Sequence, residues 1–275
     1  MNWRLIISGT GNAANNMAID EALMLSQTAS GALPALRLYG WHPAAVSLGY
    51  FQKTEKAIDL ASCSDHGIDV VRRLTGGRAV YHAAELTYSI TIREDHPIVP
   101  QTITASYMLF SNALQASLRE LGITTQLTMP QSAYSQGKRV KTVSAACFDA
   151  PSHYEMIVGE QKLVGSAQVR KNGVVLQHGS ILLDFSAESL ADVLHTQSPN
   201  EKIGLVEMLK KRATSLTEQL GRKVSWDEVA AVITEAFGPA LGIRLVSDKL
   251  TVQEKEIAEQ LAASKYSQDS WNQMR

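Results

Sequence analysis

Val70-Val71-Arg72-Arg73-Leu74-Thr75-Gly76-Gly77-Arg78-Ala79-Val80-Tyr81-His82 is the stretch on which the fold turns. An apolar run halts at two arginines, passes a Gly-Gly pair and resumes as Ala-Val-Tyr. That pattern predicts strand, glycine turn, strand. With no Cβ, both glycines can take positive φ and bring their amides close to a ligand. Arg72, Arg73 and Arg78 add planar cationic donors beside that backbone, a make-up suited to an acyl or phosphoryl oxygen. A plain hairpin with solvated arginines is the alternative, and two features weigh against it. The next strand alternates, with Leu86, Tyr88, Ile90 and Ile92 on one face and Glu85, Thr87, Ser89 and Thr91 on the other. His82 also sits at the mouth between the strands.

Toward the N-terminus, Trp3 to Ile7 reads as a short strand and Gly9 to Asn12 as a break. A helix is expected from about Asn15 to Gln27, with Met17, Leu23 and Leu25 apolar. Asp20 and Glu21 lie in its N-terminal half, where carboxylates complement the helix dipole. Leu36–Tyr39 and Val46–Tyr50 are short strands around Trp41-His42-Pro43, and a helix from about Ile58 to His66 follows.

Toward the C-terminus, Pro97 and Pro100 mark a loop before a long helix, Thr102 to Leu121, ended by Gly122. Its stripe of Tyr107, Phe110, Leu114, Leu118 and Leu121 reads as core, with part of it available to an acyl pocket. Gln131 to Lys141 is polar and irregular, with Lys138, Arg139 and Lys141 clustered: a solvated loop, or a patch that steers an acidic carrier. Strands are expected at Tyr154–Val158, Lys162–Arg170 and Val174–Leu183. Alternation on the second sets Lys162, Ser166 and Gln168 against Leu163, Ala167 and Val169. Asn172-Gly173 is a strong signal for a tight hairpin. From Ser186 the pattern is helical, at about 187–195, 201–212 and 226–241. A short strand at Leu245-Val246 and a last helix to about Lys265 complete the chain. Ser225 with Glu228 and Thr251 with Glu254 are capping boxes. The expected fold class is α+β, a mixed, largely antiparallel central sheet flanked by helices. One domain spans 1–275, its sheet-rich body about 1–185 and an integrated helical part about 186–275.

At 275 residues and 45% hydrophobic content the chain can bury a substantial core. A net charge of −1 announces neither nucleic acid nor a membrane surface. No run of 18 apolar residues is present, and Met1-Asn2-Trp3-Arg4 lacks a signal peptide's apolar region, so a cytoplasmic protein is expected. Cys63, among Leu60, Ala61 and Ser62, reads as packing. Cys147 differs: Ser144, Ala145 and Ala146 precede it and Pro151 follows, leaving room for a bulky group. It is either core filler or a nucleophile. Lys162, inside a strand beside apolar residues, is either a solvated charge or a buried ammonium. In the second case it would favour a neighbouring thiolate, or donate to an oxygen gaining charge in acyl transfer. His82, His153 and His178 match no compact metal-ligand spacing, and neither metal nor other cofactor is expected.

Arg72 to His82 resembles the signature of the biotin/lipoyl attachment family. Asn16–Leu23, Val46–Gln52, the Gly159-x-x-Lys162-Leu163-Val164-Gly165-Ser166-Ala167-Gln168 run and the tail Tyr266–Asn272 are similar to other pieces of it. Ser144 to Ser152 resembles the stretch of LipM-type octanoyltransferases that holds their acyl-accepting cysteine, which lipoate–protein ligases generally lack. The resemblance implies a biotin/lipoyl attachment domain-like fold whose tail closes back on the body. It further implies octanoyl transfer from octanoyl-acyl carrier protein to a lysine of a lipoyl domain, such as that of glycine-cleavage H protein. Cys147 and Lys162 would then be catalytic, and Arg72, Arg73, Gly76, Gly77, Arg78, His82, Gly165 and Ser166 would bind substrate. Ala83 stands where the family often has aspartate, so a pairing of His82 with an adjacent aspartate is not available. An ATP-dependent lipoate–protein ligase, an octanoyl amidotransferase between lipoyl domains and a non-enzymatic binding module are the rivals.

Overall fold

In chain order the elements begin with β1 (Asn2–Gly11), α1 (Ala13–Ser26), β2 (Ala35–Trp41), β3 (Ala45–Leu48), α2 (Thr54–Ala57) and α3 (Leu60–Asp65). β4 (Asp69–Arg72), β5 (Val80–His82), β6 (Glu85–Arg93), α4 (Ile103–Glu120) and β7 (Gln126–Leu127) follow. Next are β8 (Tyr134–Ser135), β9 (Lys138–Arg139), β10 (Met156–Val158), β11 (Gln161–Lys171) and β12 (Val174–Leu182). The C-terminal part holds α5 (Ala187–Val193), α6 (Pro199–Arg212), α7 (Leu216–Leu220), α8 (Trp226–Leu241), β13 (Arg244–Asp248), α9 (Val252–Leu261), a π-helical turn (Ala262–Tyr266) and α10 (Asp269–Asn272). This is a computed structural model, and it describes residues 1–28, 31–128 and 155–274 in full and only the backbone of 134–135 and 138–139.

The central sheet runs β13-β1-β2-β6-β12-β11-β10-β7 among the described residues. The pairs β13–β1 and β1–β2 are parallel, with α1 as the crossover between β1 and β2, and the remaining pairs are antiparallel. The expected mixed, largely antiparallel sheet is observed. Asn172 and Gly173 turn β11 into β12 with φ of 54° and 74°, both left-handed, as a tight two-residue hairpin requires. Within the polar stretch 131–141, β8 and β9 pair as a short antiparallel ladder.

The alternation of β6 is observed, but neither face meets water. Leu86, Tyr88, Ile90 and Ile92 join Leu36 and Leu38 of β2, Phe110 and Leu114 of α4, and Ile233 and Phe237 of α8 in the main core. The opposite face carries Glu85, Thr87 and Ser89 beside Arg37, Tyr39, His178 and Ser180, all buried. α1 and a second sheet cover it. That second sheet has the order β4-β3-β5, with β3 parallel to β4 and antiparallel to β5. The stretch 70–82 is therefore not a hairpin. Apolar β3, with Val46 and Leu48 buried, lies between its two strands, and residues 73–79 bridge a gap of two strand spacings, roughly 10 Å.

Two details of the helices differ from expectation. Asp20 does not serve the helix dipole; it points from α1 into the sheet and is 1% exposed. Thr251 and Glu254 form a complete capping box. Ser225 caps the Glu228 amide at 3.1 Å, while the Glu228 carboxylate turns to Arg222 at 2.6 Å.

The tail closes on the body. Asn272 Oδ1 accepts from the Arg72 amide at 2.9 Å, the Trp271 indole donates to the Arg72 carbonyl at 2.9 Å, and Tyr266 donates to Glu21 at 2.7 Å.

Candidate active site

The polar face of the sheet floors a cavity open to solvent. Met17 of α1, Tyr39 and Trp41 of β2, Val80 and Ala167 supply apolar wall, and Gly165 of β11 and Gly179 of β12, diagonal neighbours in the register, also line it. Arg73, Gly77, Ser47 and His82 close it on the side of the smaller sheet.

Arg72 and Arg73 are neighbours at the end of an extended strand, so their side chains leave in opposite directions. Arg72 is fully buried away from the cavity wall. Its guanidinium donates to the carbonyls of Gly49 and Gln52 at 2.8 Å, to Thr54 Oγ1 at 2.8 Å and to the Asn272 carbonyl at 2.9 Å. It ties the tail to the loop after β3. Arg73 faces the cavity and donates to the carbonyls of Gly76 at 2.9 Å and Arg78 at 2.7 Å. Those two contacts pin the glycine turn. Gly77 takes φ of 97°, whereas Gly76 is not left-handed. Gly49 packs so closely beneath the turn that a Cβ there would stand 1.9 Å from the Gly77 carbonyl oxygen.

Two hydrogen-bonded chains start at Arg73. In one, Nε donates to Thr75 Oγ1 at 3.1 Å, Thr75 bonds His178 Nε2 at 2.7 Å, and His178 Nδ1 bonds Asp20 Oδ2 at 3.2 Å. Asp20 also accepts from Arg37 at 2.8 Å, Tyr39 at 3.0 Å and Ser89 at 2.7 Å. In the other, Nη1 donates to Ser47 Oγ at 3.1 Å, Ser47 bonds His82 Nε2 at 2.8 Å, and His82 Nδ1 bonds Glu85 Oε1 at 2.8 Å. Thr87 and Ser180 also donate to the Glu85 carboxylate, and Trp41 stacks on the His82 ring at 4.0 Å. An ionised carboxylate only accepts, so Nδ1 carries the proton in each imidazole and the hydroxyl donates to Nε2. Burial pushes His178 below its ordinary range against the pull of Asp20. Burial also opposes ionisation of Asp20, but His178, Arg37 and Ser89 outweigh it and hold that carboxyl low.

Lys162 is 3% exposed and donates to Glu155 Oε1 at 2.6 Å. Strict alternation fails beside it: Met156 pairs with Val164 and Ile157 with Lys162, so Leu163 is the extra residue of a bulge. Lys162 consequently lies on the same side as Gly165, where a Cβ would stand 3.1 Å from Nζ. Ser166 points to the core face, accepting from Tyr88 at 2.7 Å. The cavity thus brings together Arg73, Gly77, His82, Gly165 and Ser166, with Lys162 at its edge. Arg72 lies outside it, and neither Gly76 nor Arg78 is on its wall, though the carbonyls of both are held by Arg73. Cys147 lies outside the described residues. Cys63 packs in a satellite core, its thiol pushed up to about 11 by burial.

Ser47, Asp20, Glu85 and His178 were not singled out as site residues from sequence. The available signal was the polar half of β6: four polar side chains at alternate positions of a strand bounded by buried elements must face partners, not water.

A family model for the lipoyl protein ligase A/B catalytic domain matches residues 12–238. An octanoyltransferase LipM of Kyrpidia tusciae is 46% identical over 270 residues, covering 98% of each chain. Among solved structures, a bipartite lipoate protein ligase of Thermoplasma acidophilum superposes with a TM-score of 0.80 at 29% identity, over 99% of this chain and 96% of that one. A lipoate-protein ligase A bound with ATP gives 0.78 at 29% identity, over 99% of both.

Proposed function

The chain belongs to the lipoyl protein ligase A/B catalytic-domain family, and within it we propose that this protein is an octanoyltransferase of protein lipoylation. It takes octanoyl from an acyl carrier thioester and delivers it to a lysine of a lipoyl domain, such as that of glycine-cleavage H protein. The observation that carries this reading is the cavity: a largely apolar cleft lined by Gly165 and Gly179, with a buried ammonium over Gly165. A concave site with apolar walls and a limited set of placed polar groups suits a small, largely apolar ligand. Burying most of an eight-carbon chain gains about 5 kcal/mol at roughly 0.8 kcal/mol per methylene.

In this mechanism the Cys147 thiolate attacks the carrier thioester and holds octanoyl as an acyl-enzyme. The Lys162 ammonium, anchored by Glu155 and lying over Gly165, faces the carbonyl oxygen as it gains charge, the dominant contribution in acyl transfer. The amides of the Arg73-pinned glycine turn supply further donors. The acceptor lysine then attacks the thioester and sulfur leaves.

An ATP-dependent ligase is the second reading, favoured by the two solved neighbours, both named as ligases. Incubation with octanoyl-acyl carrier protein in the absence of ATP separates the two. Intact mass should rise by one octanoyl group, stay unchanged in Cys147→Ala, and fall back on adding a lipoyl domain. Modification of the lipoyl domain from free lipoate only when ATP is supplied would replace the transferase reading with the ligase one.

A further inference from the structure

We propose that Ser47, His82 and Glu85 form a proton relay that takes the proton from the attacking amine in the second half of the reaction. This rests on the acyl-enzyme reading above. The two chains that leave Arg73 have the same order of hydroxyl, imidazole and carboxylate, yet only one reaches the cavity through its hydroxyl. Both imidazoles line the wall, but the hydroxyl bonded to His178 Nε2, that of Thr75, is fully buried and absent from it, whereas Ser47 stands on the wall beside His82. A base that works through a positioned hydroxyl needs that hydroxyl to face the space a substrate enters; Ser47 lines the cavity and Thr75 does not.

The relay balances. As the amine nitrogen bonds the acyl carbon, one N–H proton passes to Ser47 Oγ while the Ser47 proton passes to His82 Nε2. The C–S bond then breaks, leaving an amide and a thiolate, and the proton returns from His82 to solvent or sulfur. The imidazolium formed is met at Nδ1 by Glu85, whose carboxylate is fixed by Thr87 and Ser180. Arg73 Nη1, 3.1 Å from Ser47 Oγ, stabilises negative charge on that oxygen during transfer. His82 is further surrounded by Trp41 in stacking contact, Tyr39 behind it, and His178 with its partner Asp20 across the cavity floor. The charged groups on this side of the cavity are Glu85, Asp20 and Arg73. Ser47 does not itself take the acyl group in this scheme, although its order of groups matches that of hydrolytic triads.

The test uses full-length protein charged with octanoyl from octanoyl-acyl carrier protein, freed of carrier, and mixed with a lipoyl domain across pH 5.5–9. Wild type should show a rising limb in the aminolysis rate. His82→Gln should lose that limb and slow aminolysis by roughly 100-fold or more, the usual worth of a positioned base. Its deficit should shrink with hydroxylamine, a weakly basic amine that sheds its proton readily. Ser47→Ala should behave alike, and Ser47→Thr, which keeps the hydroxyl, should restore most of the rate. Circular dichroism melts identify any variant that fails to fold, and the Ser47 pair then decides. Equal aminolysis by Ser47→Ala and wild type with the same pH profile would overturn the relay, as would octanoyl found on a Ser47 peptide. If wild type forms no acyl-enzyme at all, the transferase reading itself falls, which is a different outcome.

Discussion

Asp20→Asn keeps the shape of the side chain that four donors converge on and removes only its charge. Arg37, Tyr39, Ser89 and His178 all bond the carboxylate within 3.2 Å, and Arg37 is 0% exposed. An amide offers a single oxygen. If it faces Arg37 and Ser89, its NH2 confronts the hydroxyl of Tyr39 and the N–H of His178. Tyr39 can turn its proton away, but His178 must move its proton to Nε2, against the Thr75 hydroxyl. The guanidinium of Arg37 then stands buried without a counter-charge, although Asn16 still accepts from it at 2.8 and 3.0 Å. Breaking a buried ion pair by removing one partner costs roughly 3–5 kcal/mol. At about 2–4 °C per kcal/mol for a chain of this order of size, the melting midpoint should fall by about 6–20 °C. Urea titrations at pH 7.5, followed by fluorescence and circular dichroism, give the free energy directly. A loss under about 1 kcal/mol with an unchanged m-value would refute the reasoning, because it would mean that Arg37 is satisfied by Asn16 alone.

Gly49→Ala should part the glycine turn from β3: its Cβ would stand 1.9 Å from the Gly77 carbonyl oxygen, a backbone atom that cannot swing aside. A loss of roughly 1–3 kcal/mol, or more, is expected, and octanoyl loading by intact mass should drop with it; normal loading at normal stability would contradict the close approach. Arg72→Lys replaces a fork with a point donor, and each buried carbonyl left without its charged donor costs about 1.5–3 kcal/mol. The tail should then open, read as faster tryptic cleavage after Lys265 and faster amide exchange at Trp271 and Asn272. The pH profile of stability should tilt toward acid lability. His178 is held below its ordinary 6.5 and Asp20 below its ordinary 3.8, so their contributions are complete above those values. The histidine's is lost as pH falls through its depressed value in the folded state, and the aspartate's lower still. Comparing urea midpoints of wild type and His178→Gln between pH 4 and 8 should show the difference narrowing toward acid; a difference that widens there has the wrong sign.

What could be seen in the sequence was local. The period of β6, the left-handed demand of Asn172-Gly173, the cap at Thr251 and the stripe on α4 each depend on neighbours within a few positions, and the structure has them where expected. The insertion of β3 between β4 and β5 depends on parallel pairing of Ala45–Leu48 with Asp69–Arg72, more than twenty residues on, and no local pattern encodes such a contact. The two arginines illustrate the same limit. Their type predicts dense hydrogen bonding for both, but an extended chain sends successive side chains to opposite sides, and only the packed neighbours decide which one meets the cavity. Lys162 was separable from a solvated lysine by its apolar strand, whereas the bulge at Leu163 that turns it toward Gly165 is set by β10. Asp20 was visible only as a helix carboxylate. Its role required knowing that Arg37 and His178, 17 and 158 residues away, would meet it under the sheet.

The buried charges around the cavity constrain what the site can accept. Among the described residues, Arg37 faces Asp20 and Lys162 faces Glu155 directly, while Arg73 reaches Glu85 through Ser47 and His82. Each cation in this group has an anion, and the cavity that they surround is walled mainly by apolar side chains and glycine. A free carboxylate entering such a space brings an extra negative charge, and it loses its hydration unless one of these pairs reorganises. A thioester brings none at the start and acquires charge only on its carbonyl oxygen in the tetrahedral state, which in the proposed mechanism the Lys162 ammonium and the pinned glycine turn meet. Preorganised donors that meet charge only as it develops favour the transition state over the bound substrate, the condition for faster chemistry instead of tighter binding alone. In the proposed relay the same balance gives the guanidinium beside Ser47 a purpose: Arg73 would ease loss of the hydroxyl proton, and His82 with Glu85 behind it would receive it.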